Sequence, residues 1–254
     1  MTRYVALGSS MAAGPGILPR AAGAPRWSGR SARNYPHLLA ERLKLDLVDV
    51  TFSGATTAHL LADHQHGQPP QIAALDGSES LVTVTIGGND VGYVPLLMAA
   101  SLPRWARRLP LVGGRISELL ERDTRDRALA EVFDSLCAVG RALRERAPRA
   151  RIYFVDYLTI LPACAPAPPL APAESDLGRH VAGTLERLTA EAAAATGCEV
   201  VSAAAASRQH HAWSAEPWTT MPARYGVPLP GRPAPLHPNG AGMRAVAELV
   251  SAQL

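Results

Sequence analysis

The sequence predicts an α/β fold, a three-layer sandwich in which helices cover both faces of a central, mostly parallel sheet of about five strands. Five short runs are apolar on consecutive rather than alternate positions, which indicates strands buried on both faces. Stretches of helical length separate these runs, and strands that alternate with helices form βαβ units. At 254 residues the chain is long enough for one sizeable core, so we expect a single domain over residues 1–254.

The predicted elements follow one another along the whole chain. The strands are expected at Tyr4–Leu7, Leu47–Val50, Leu81–Ile86, Ile152–Val155 and Glu199–Ser202. The helices are expected at 34–44, 56–63, 126–147, 174–196 and 239–253. Residues 161–172 are predicted to form a loop because their prolines fix φ and remove donors. Residues 207–236, with Trp213, Trp218 and Tyr225, form a second irregular segment that either lines a binding site or closes the core.

The composition is that of an ordinary globular protein. Hydrophobic residues make up 47% and charged residues 19% of the chain, which argues against a disordered or a membrane-spanning protein. Residues 104–127 contain seven arginines, but four acidic residues are interleaved with the last of them. This mixture predicts a solvated face, with a surface for an anionic partner as the alternative, and we expect no nucleic-acid partner.

The first residues and the cysteines bear on the cellular compartment. Met1 and Thr2 lead directly into the first predicted strand, which leaves no room for an export signal. We therefore expect a cytoplasmic protein, with a trimmed, secreted form as the alternative. Its three cysteines are far apart and lack metal-like spacing, which predicts reduced thiols, or one disulfide in a secreted form.

Polar residues follow three predicted strands and precede the last predicted helix. Ser10 comes after the first strand, Gly54 after the second, Asn89-Asp90 after the third, and His237 just before the final helix. Ligands of such sheets bind at the carboxyl ends of the strands, so these segments are expected to converge on one rim.

These residue types suit nucleophilic catalysis. A serine hydroxyl can attack a carbonyl when an imidazole takes its proton, so Ser10 and His237 form a candidate pair. A glycine amide at position 54 and the Asn89 carboxamide are neutral donors for a developing oxyanion. Each residue taken singly also has an ordinary structural explanation, as an inert turn, a surface histidine or a helix N-cap.

Together the four segments resemble the ordered sequence blocks of the SGNH (GDSL-like) hydrolase superfamily, from about residue 3 to 250. The blocks read Ala6-Leu-Gly-Ser-Ser10, Phe52-Ser-Gly54, Thr85-Ile-Gly-Gly-Asn-Asp90 and Leu236-His-Pro-Asn239. The resemblance implies a flavodoxin-like sandwich and a serine esterase or lipase. It also implies that Ser10 is the nucleophile and His237 the base, and that the Ser10 amide, the Gly54 amide and the Asn89 side chain form the oxyanion hole.

Two positions depart from the pattern of that family. Ser9 stands where the first block has an aspartate, which predicts altered hydrogen bonding around an unchanged nucleophile. Ala234 stands where the family has the aspartate of Asp-x-x-His, so the third triad member is missing. We expect a Ser-His dyad in which the carbonyl of Ala234 or of a near neighbour orients His237. Glu216 or Asp156 acting from a distance is the alternative.

The predicted activity is hydrolysis of acyl or acetyl esters through an acyl-enzyme, without a metal or an organic cofactor. Acyl transfer by the same residues, or an inactive ligand-binding homologue, are the alternatives. We expect a monomer acting on a small-molecule, lipid or carbohydrate ester. The histidine pairs His64/His66 and His210/His211 lack cysteine or carboxylate partners and are expected to be solvent-exposed rather than metal-binding.

Overall fold

Five parallel strands form the centre of the computed structural model, which describes residues 2–103, 105, 107, 113–222 and 231–254. The strands are β1 (Arg3–Gly8), β2 (Asp46–Asp49), β3 (Leu81–Thr85), β4 (Arg151–Val155) and β5 (Glu199–Val201). Their order across the sheet is β2-β1-β3-β4-β5, and each neighbouring pair is parallel. The predicted parallel sheet is confirmed, and its order is the flavodoxin-like one, in which the strand order reverses between β1 and β3.

Helices cover both faces of this sheet. They are α1 (Ser10–Ala13), α2 (Tyr35–Leu43), α3 (Thr57–Leu61), α4 (Tyr93–Ser101), α5 (Gly113–Leu120), α6 (Arg122–Arg146), α7 (Pro172–Ala195), α8 (Ala203–Ala206) and α9 (Gly240–Ser251), with a 3-10 helix over Gln71–Ala74. Helices α2 and α9 pack together over one face, against Tyr4 and Ala6. Helices α6 and α7 pack together over the other face, against Val5 and Leu7.

The five predicted helices are present, with ends that differ by a few residues. Helix α4 was not predicted. Six of its residues are buried, so it lacks the alternation of apolar and polar faces that marks a helix in a sequence. The short helices α1, α5 and α8 were not predicted either, because four to eight residues carry too little periodicity.

The two irregular segments close the core where the structure describes them. Trp213 and Trp218 are half-buried. Trp213 packs against the core on the α6/α7 face of the sheet, and Trp218 packs against the core on the α2/α9 face. The Trp213 indole donates to the Pro168 carbonyl at 3.1 Å, which joins one irregular segment to the other. These contacts favour core closure over an open platform for both tryptophans. Tyr225 lies outside the described residues.

The arginine-rich stretch is only partly a solvated face. Arg115, Arg122 and Arg127 are exposed as expected. Arg125 is buried, and the prediction is wrong for it, because its guanidinium donates to the Val91 carbonyl at 2.8 Å. Burial correspondingly lowers the pKa of this side chain. Two further arginines of the stretch, 104 and 108, lie outside the described residues.

The histidine pairs differ in exposure. His64 and His66 are exposed, as predicted. His210 and His211 are half-buried, so the prediction of exposure is wrong for this pair. The His210 ring stacks on Trp218 with centroids 4.1 Å apart. Within the described ranges, no cluster of three or more histidine, cysteine or acidic side chains could hold a metal ion.

The three cysteines, Cys137, Cys164 and Cys198, are free thiols, of which only Cys164 is exposed. No helix in the part of the chain that the structure describes is both long and apolar enough to cross a bilayer.

Candidate active site

The turn after β1 presents Ser10 at the carboxyl edge of the sheet. A Cβ on Gly8 would lie 2.5 Å from the Thr85 carbonyl oxygen, so only glycine lets β1 run this close to β3. Gly8 also has a φ of +138°, a conformation that L side chains rarely adopt. Helix α1 begins at Ser10, so the Ser10 amide is one of the first N–H groups of a helix and has no partner within it.

Ser10 and His237 lie within hydrogen-bond distance of each other. The Ser10 Oγ and the His237 Nε2 are 2.8 Å apart, and both residues are buried. The other ring nitrogen, Nδ1, is 2.7 Å from the Pro235 carbonyl oxygen. Because a carbonyl only accepts, Nδ1 must carry the proton, which leaves Nε2 free to accept from the serine hydroxyl. The arrangement is that of a nucleophile with its base.

Of the carbonyls expected to hold His237, that of Ala234 or of a near neighbour, the one in contact with the ring belongs to Pro235. The Ala234 carbonyl is already occupied, because it accepts from the Thr220 hydroxyl at 2.6 Å. Leu236 has a left-handed φ of +62°, and this turn brings the Pro235 carbonyl against the ring two residues later. The Thr220 amide donates to the His237 carbonyl at 2.9 Å and fixes the turn from the other side.

No carboxylate of the described residues contacts His237. Glu216 is exposed, and Asp156 lies after β4, where it accepts from the Ala204 amide at 2.7 Å. Burial raises the pKa of Asp156 to about 7. Burial lowers the pKa of His237 below its ordinary value, and the hydrogen bond to Pro235 opposes that shift.

The candidate oxyanion donors lie on loops that are bonded to one another. Gly54 has a φ of +80°, and none of the described residues accepts from its amide. The Asn89 carboxamide donates one N–H to the Ala55 carbonyl at 2.8 Å. That bond joins the loop after β3 to the loop after β2 and leaves the second carboxamide N–H available.

Asp90 fixes the same two loops instead of facing Ser10. Its carboxylate accepts from the Thr57 amide at 3.0 Å and from the Thr57 hydroxyl at 2.5 Å. These bonds hold the start of α3, three residues after Gly54. The structure thus gives Asp90 a supporting contact between these loops.

Ser9 occupies the position where the family has an aspartate, and it is buried. Its hydroxyl is 3.4 Å from the Tyr157 hydroxyl, which accepts from the Gly88 amide at 2.8 Å. A Cβ on Gly88 would lie 2.7 Å from the Tyr157 ring. Tyr157 therefore packs between the loops after β1 and β3, and the sequence offered no signal for this role because its partners are distant in the chain.

Gln71 is a second residue that sequence reasoning missed. β2 ends at Asp49, so Gly8, which pairs with Thr85 of β3 on one side, has no residue of β2 on its other side. The buried Gln71 carboxamide takes that place: its Oε1 accepts from the Gly8 amide at 2.7 Å, and its Nε2 donates to the Gly8 carbonyl at 3.0 Å. Gly8 is two residues from Ser10, so Gln71 is a positioning residue for the nucleophile turn.

Replacing Gln71 with alanine is expected to lower kcat about tenfold with little change in KM, because the substrate contacts remain while the nucleophile turn loses its support. Gln68→Ala is the matched control, since that exposed side chain belongs to the same segment. Steady-state kinetics and thermal unfolding check the prediction. A lower Tm with an unchanged kcat would show a purely structural role.

Comparisons with known proteins agree on one family. The model of the GDSL-like lipase/acylhydrolase family matches residues 6–245. Lipase 2 of Streptomyces coelicolor is 34% identical, over 96% of this chain and 83% of that protein. A lipase of Streptomyces rimosus is 28% identical, over 61% of this chain and 52% of that protein.

Solved structures show the same fold at lower identity. Phospholipase A1 from Streptomyces albidoflavus NA297 has a TM-score of 0.82 and 23% identity, covering 100% of this chain and 99% of that one. The extracellular lipase from Streptomyces rimosus has a TM-score of 0.79 and 22% identity, covering both chains completely.

Proposed function

The chain belongs to the GDSL-like lipase/acylhydrolase family, and on that premise we propose that it hydrolyses carboxylic esters through an acyl-enzyme on Ser10, with His237 as the base. The single observation that carries the proposal is the chain of hydrogen bonds from Ser10 through the His237 ring to the Pro235 carbonyl. It supplies a nucleophile, a base and a fixed tautomer, which are the parts that acyl transfer to a serine needs.

The reaction proceeds in two halves. As the Ser10 Oγ attacks the ester carbonyl carbon, its proton moves to the His237 Nε2, and the tetrahedral intermediate forms. His237 then gives the proton to the departing alkoxide as the C–O bond breaks, which leaves the acyl group on Ser10. Water attacks that acyl group with His237 again as the base, and the acid is released.

The oxyanion of each tetrahedral intermediate is stabilised by the Ser10 amide, the Gly54 amide and the second N–H of Asn89. All three donors are neutral, and their loops are fixed by Thr57, Asp90 and Ala55 before substrate arrives. Fixed donors stabilise charge without rearranging during the reaction, which is why such sites contribute strongly to the rate.

The names of the relatives in sequence, which are lipases, support a proposal for the substrate class. We propose acyl esters of lipids in preference to acetyl groups on sugars. A series of p-nitrophenyl esters of increasing chain length tests this: kcat/KM should rise from the acetate to the longer chains. No turnover of any ester would reject the function, and faster product formation upon adding an alcohol would favour acyl transfer.

If Pro235 alone orients His237, the amide variants Asp156→Asn and Glu216→Gln should each change kcat/KM less than about threefold, because neither carboxylate holds the ring. The measurement is kcat/KM for the two variants beside wild type. A loss of about 10⁴-fold in either variant, the scale seen when a triad aspartate is neutralised, would show that a remote carboxylate completes a triad.

The pH profile gives a second readout of the same dyad. His237 acts as a base only when neutral, and its burial without an anionic partner lowers its pKa. The midpoint of the acidic limb in the pH profile of kcat/KM should therefore lie below pH 6.5, which is the ordinary pKa of histidine. A limb above that value would mean that a carboxylate stabilises the imidazolium.

A further inference from the structure

Three large apolar side chains are exposed on segments that flank the candidate active site. Leu18 is 56% exposed and Trp27 67% exposed, both in the loop that follows α1. Met221 is 45% exposed and follows Thr220, the residue that fixes the turn of His237. We call these three residues, with the exposed Arg20, Arg26, Arg33 and Arg232, the rim surface.

Backbone hydrogen bonds tie these segments to the catalytic ones. The Pro15 carbonyl accepts from the Ala234 amide at 2.8 Å, three residues from Leu18 and three from His237. The Ser28 carbonyl, next to Trp27, accepts from the Ser53 amide at 2.8 Å, beside Gly54. The rim surface therefore lies at the carboxyl edge of the sheet, where Ser10 also lies.

Two stretches of the sequence that contribute to this edge contain basic but no acidic side chains. Residues 9–34 and 217–243 contain six arginines and no acidic residue, which leaves 19 of the 25 basic side chains to face all 22 acidic ones elsewhere. Of these arginines, Arg30 is paired with the buried Asp49 at 3.5 Å. These two stretches of sequence therefore carry a charge of +6, and the rest of the chain carries −3.

Exposed tryptophan and leucine side chains among arginines suit a surface that contacts the boundary between water and an apolar phase. Tryptophan is favoured where apolar and polar phases meet, and arginine is attracted to anionic headgroups. The Arg26 guanidinium lies 5.8 Å from the centre of the Trp27 ring, so charge and apolar area are adjacent.

We propose that the rim surface docks the protein on an anionic lipid layer, with Leu18, Trp27 and Met221 entering the interface and the arginines contacting headgroups. Docking would bring Ser10 against esters held in the layer. This inference rests on the proposed ester hydrolysis and adds the physical form of the substrate.

Co-sedimentation with vesicles tests the docking. Ether-linked phosphatidylcholine, with or without ether-linked phosphatidylglycerol, provides layers that the protein cannot hydrolyse. The wild type should bind the anionic vesicles and not the neutral ones. The double variant Leu18→Gln/Trp27→Gln and the triple variant Arg20→Gln/Arg26→Gln/Arg33→Gln should each bind at least about tenfold more weakly.

Leu43→Gln is the matched control, because Leu43 is an exposed apolar residue at the end of α2, which leads into the opposite edge of the sheet. It should bind as the wild type does. All of these variants should turn over p-nitrophenyl acetate in solution within about twofold of the wild-type rate, since none touches the reacting atoms. Hydrolysis of ester lipids in anionic vesicles should fall in parallel with binding.

The outcomes separate the two proposals. Turnover of the soluble ester without vesicle binding, or equal binding by the rim variants and the wild type, would overturn the docking alone. Absence of soluble-ester turnover would overturn the proposed function. Self-association of the wild type that the Leu18→Gln/Trp27→Gln variant loses, with vesicle binding unchanged, would make this surface a contact between copies of the chain and overturn the inference.

Discussion

Ser10→Ala and His237→Ala are each expected to lower kcat for ester hydrolysis by about 10⁶-fold, the scale seen when the nucleophile or the base of a serine hydrolase is removed. Without the hydroxyl no acyl-enzyme can form, and without the imidazole nothing accepts the proton at the moment of attack. Both side chains lie at the carboxyl edge of the sheet, so the fold should survive. Turnover and circular dichroism measured on the same preparations check both statements.

Ser9→Ala is the matched control, since it removes a hydroxyl from the adjacent residue. That hydroxyl is 3.4 Å from Tyr157, and it should matter only a few-fold. Residual turnover within a few-fold of wild type in Ser10→Ala or His237→Ala would exclude the residue concerned. Activity that is lost in Ser9→Ala but kept in Ser10→Ala would identify Ser9 as the nucleophile.

Asn89→Ala is expected to lower kcat by about 10²- to 10³-fold with little change in KM, because a neutral oxyanion donor acts mainly in the transition state. Steady-state kinetics on one soluble ester provide the measurement. An effect confined to KM would instead indicate a substrate contact.

The contact between the Asn89 carboxamide and the Ala55 carbonyl complicates the alanine variant, which also releases a loop. Asn89→Asp separates the two effects, since it keeps the shape of the side chain while it replaces the donor with an anion. We expect it to be at least as inactive as Asn89→Ala. An active Asn89→Asp variant would contradict the oxyanion role.

The sequence was sufficient for the sheet and its catalytic edge because both depend on local signals. Runs such as Ile152–Val155 are apolar on every position, which is typical of a strand covered on both faces. In a parallel sheet, knowing the strands is enough to know which turns share an edge. Ser10 and His237 could therefore be paired although 227 positions separate them.

The missed features depend on contacts that no local pattern encodes. Gln71 supports Gly8 only because β2 stops short, and Tyr157 fits between two loops only because Gly88 has no side chain. Arg125 was assigned to the surface from its charged neighbours, yet it points inward to the Val91 carbonyl. A contact partner that is distant in the chain can be identified only from the structure, because no sequence signal near the residue indicates it.

The support of His237 by a main-chain carbonyl limits what a point mutation can remove. Every amino acid brings a carbonyl with it, so no replacement at position 235 deletes the acceptor that holds the imidazole. A mutation can remove this support only by changing the path of the backbone, which depends on the left-handed conformation of Leu236. That conformation costs most residues about 1–3 kcal/mol. In the chain of hydrogen bonds from Ser10 to Pro235, an alanine scan would therefore detect the nucleophile and the base but not the carbonyl that orients the base.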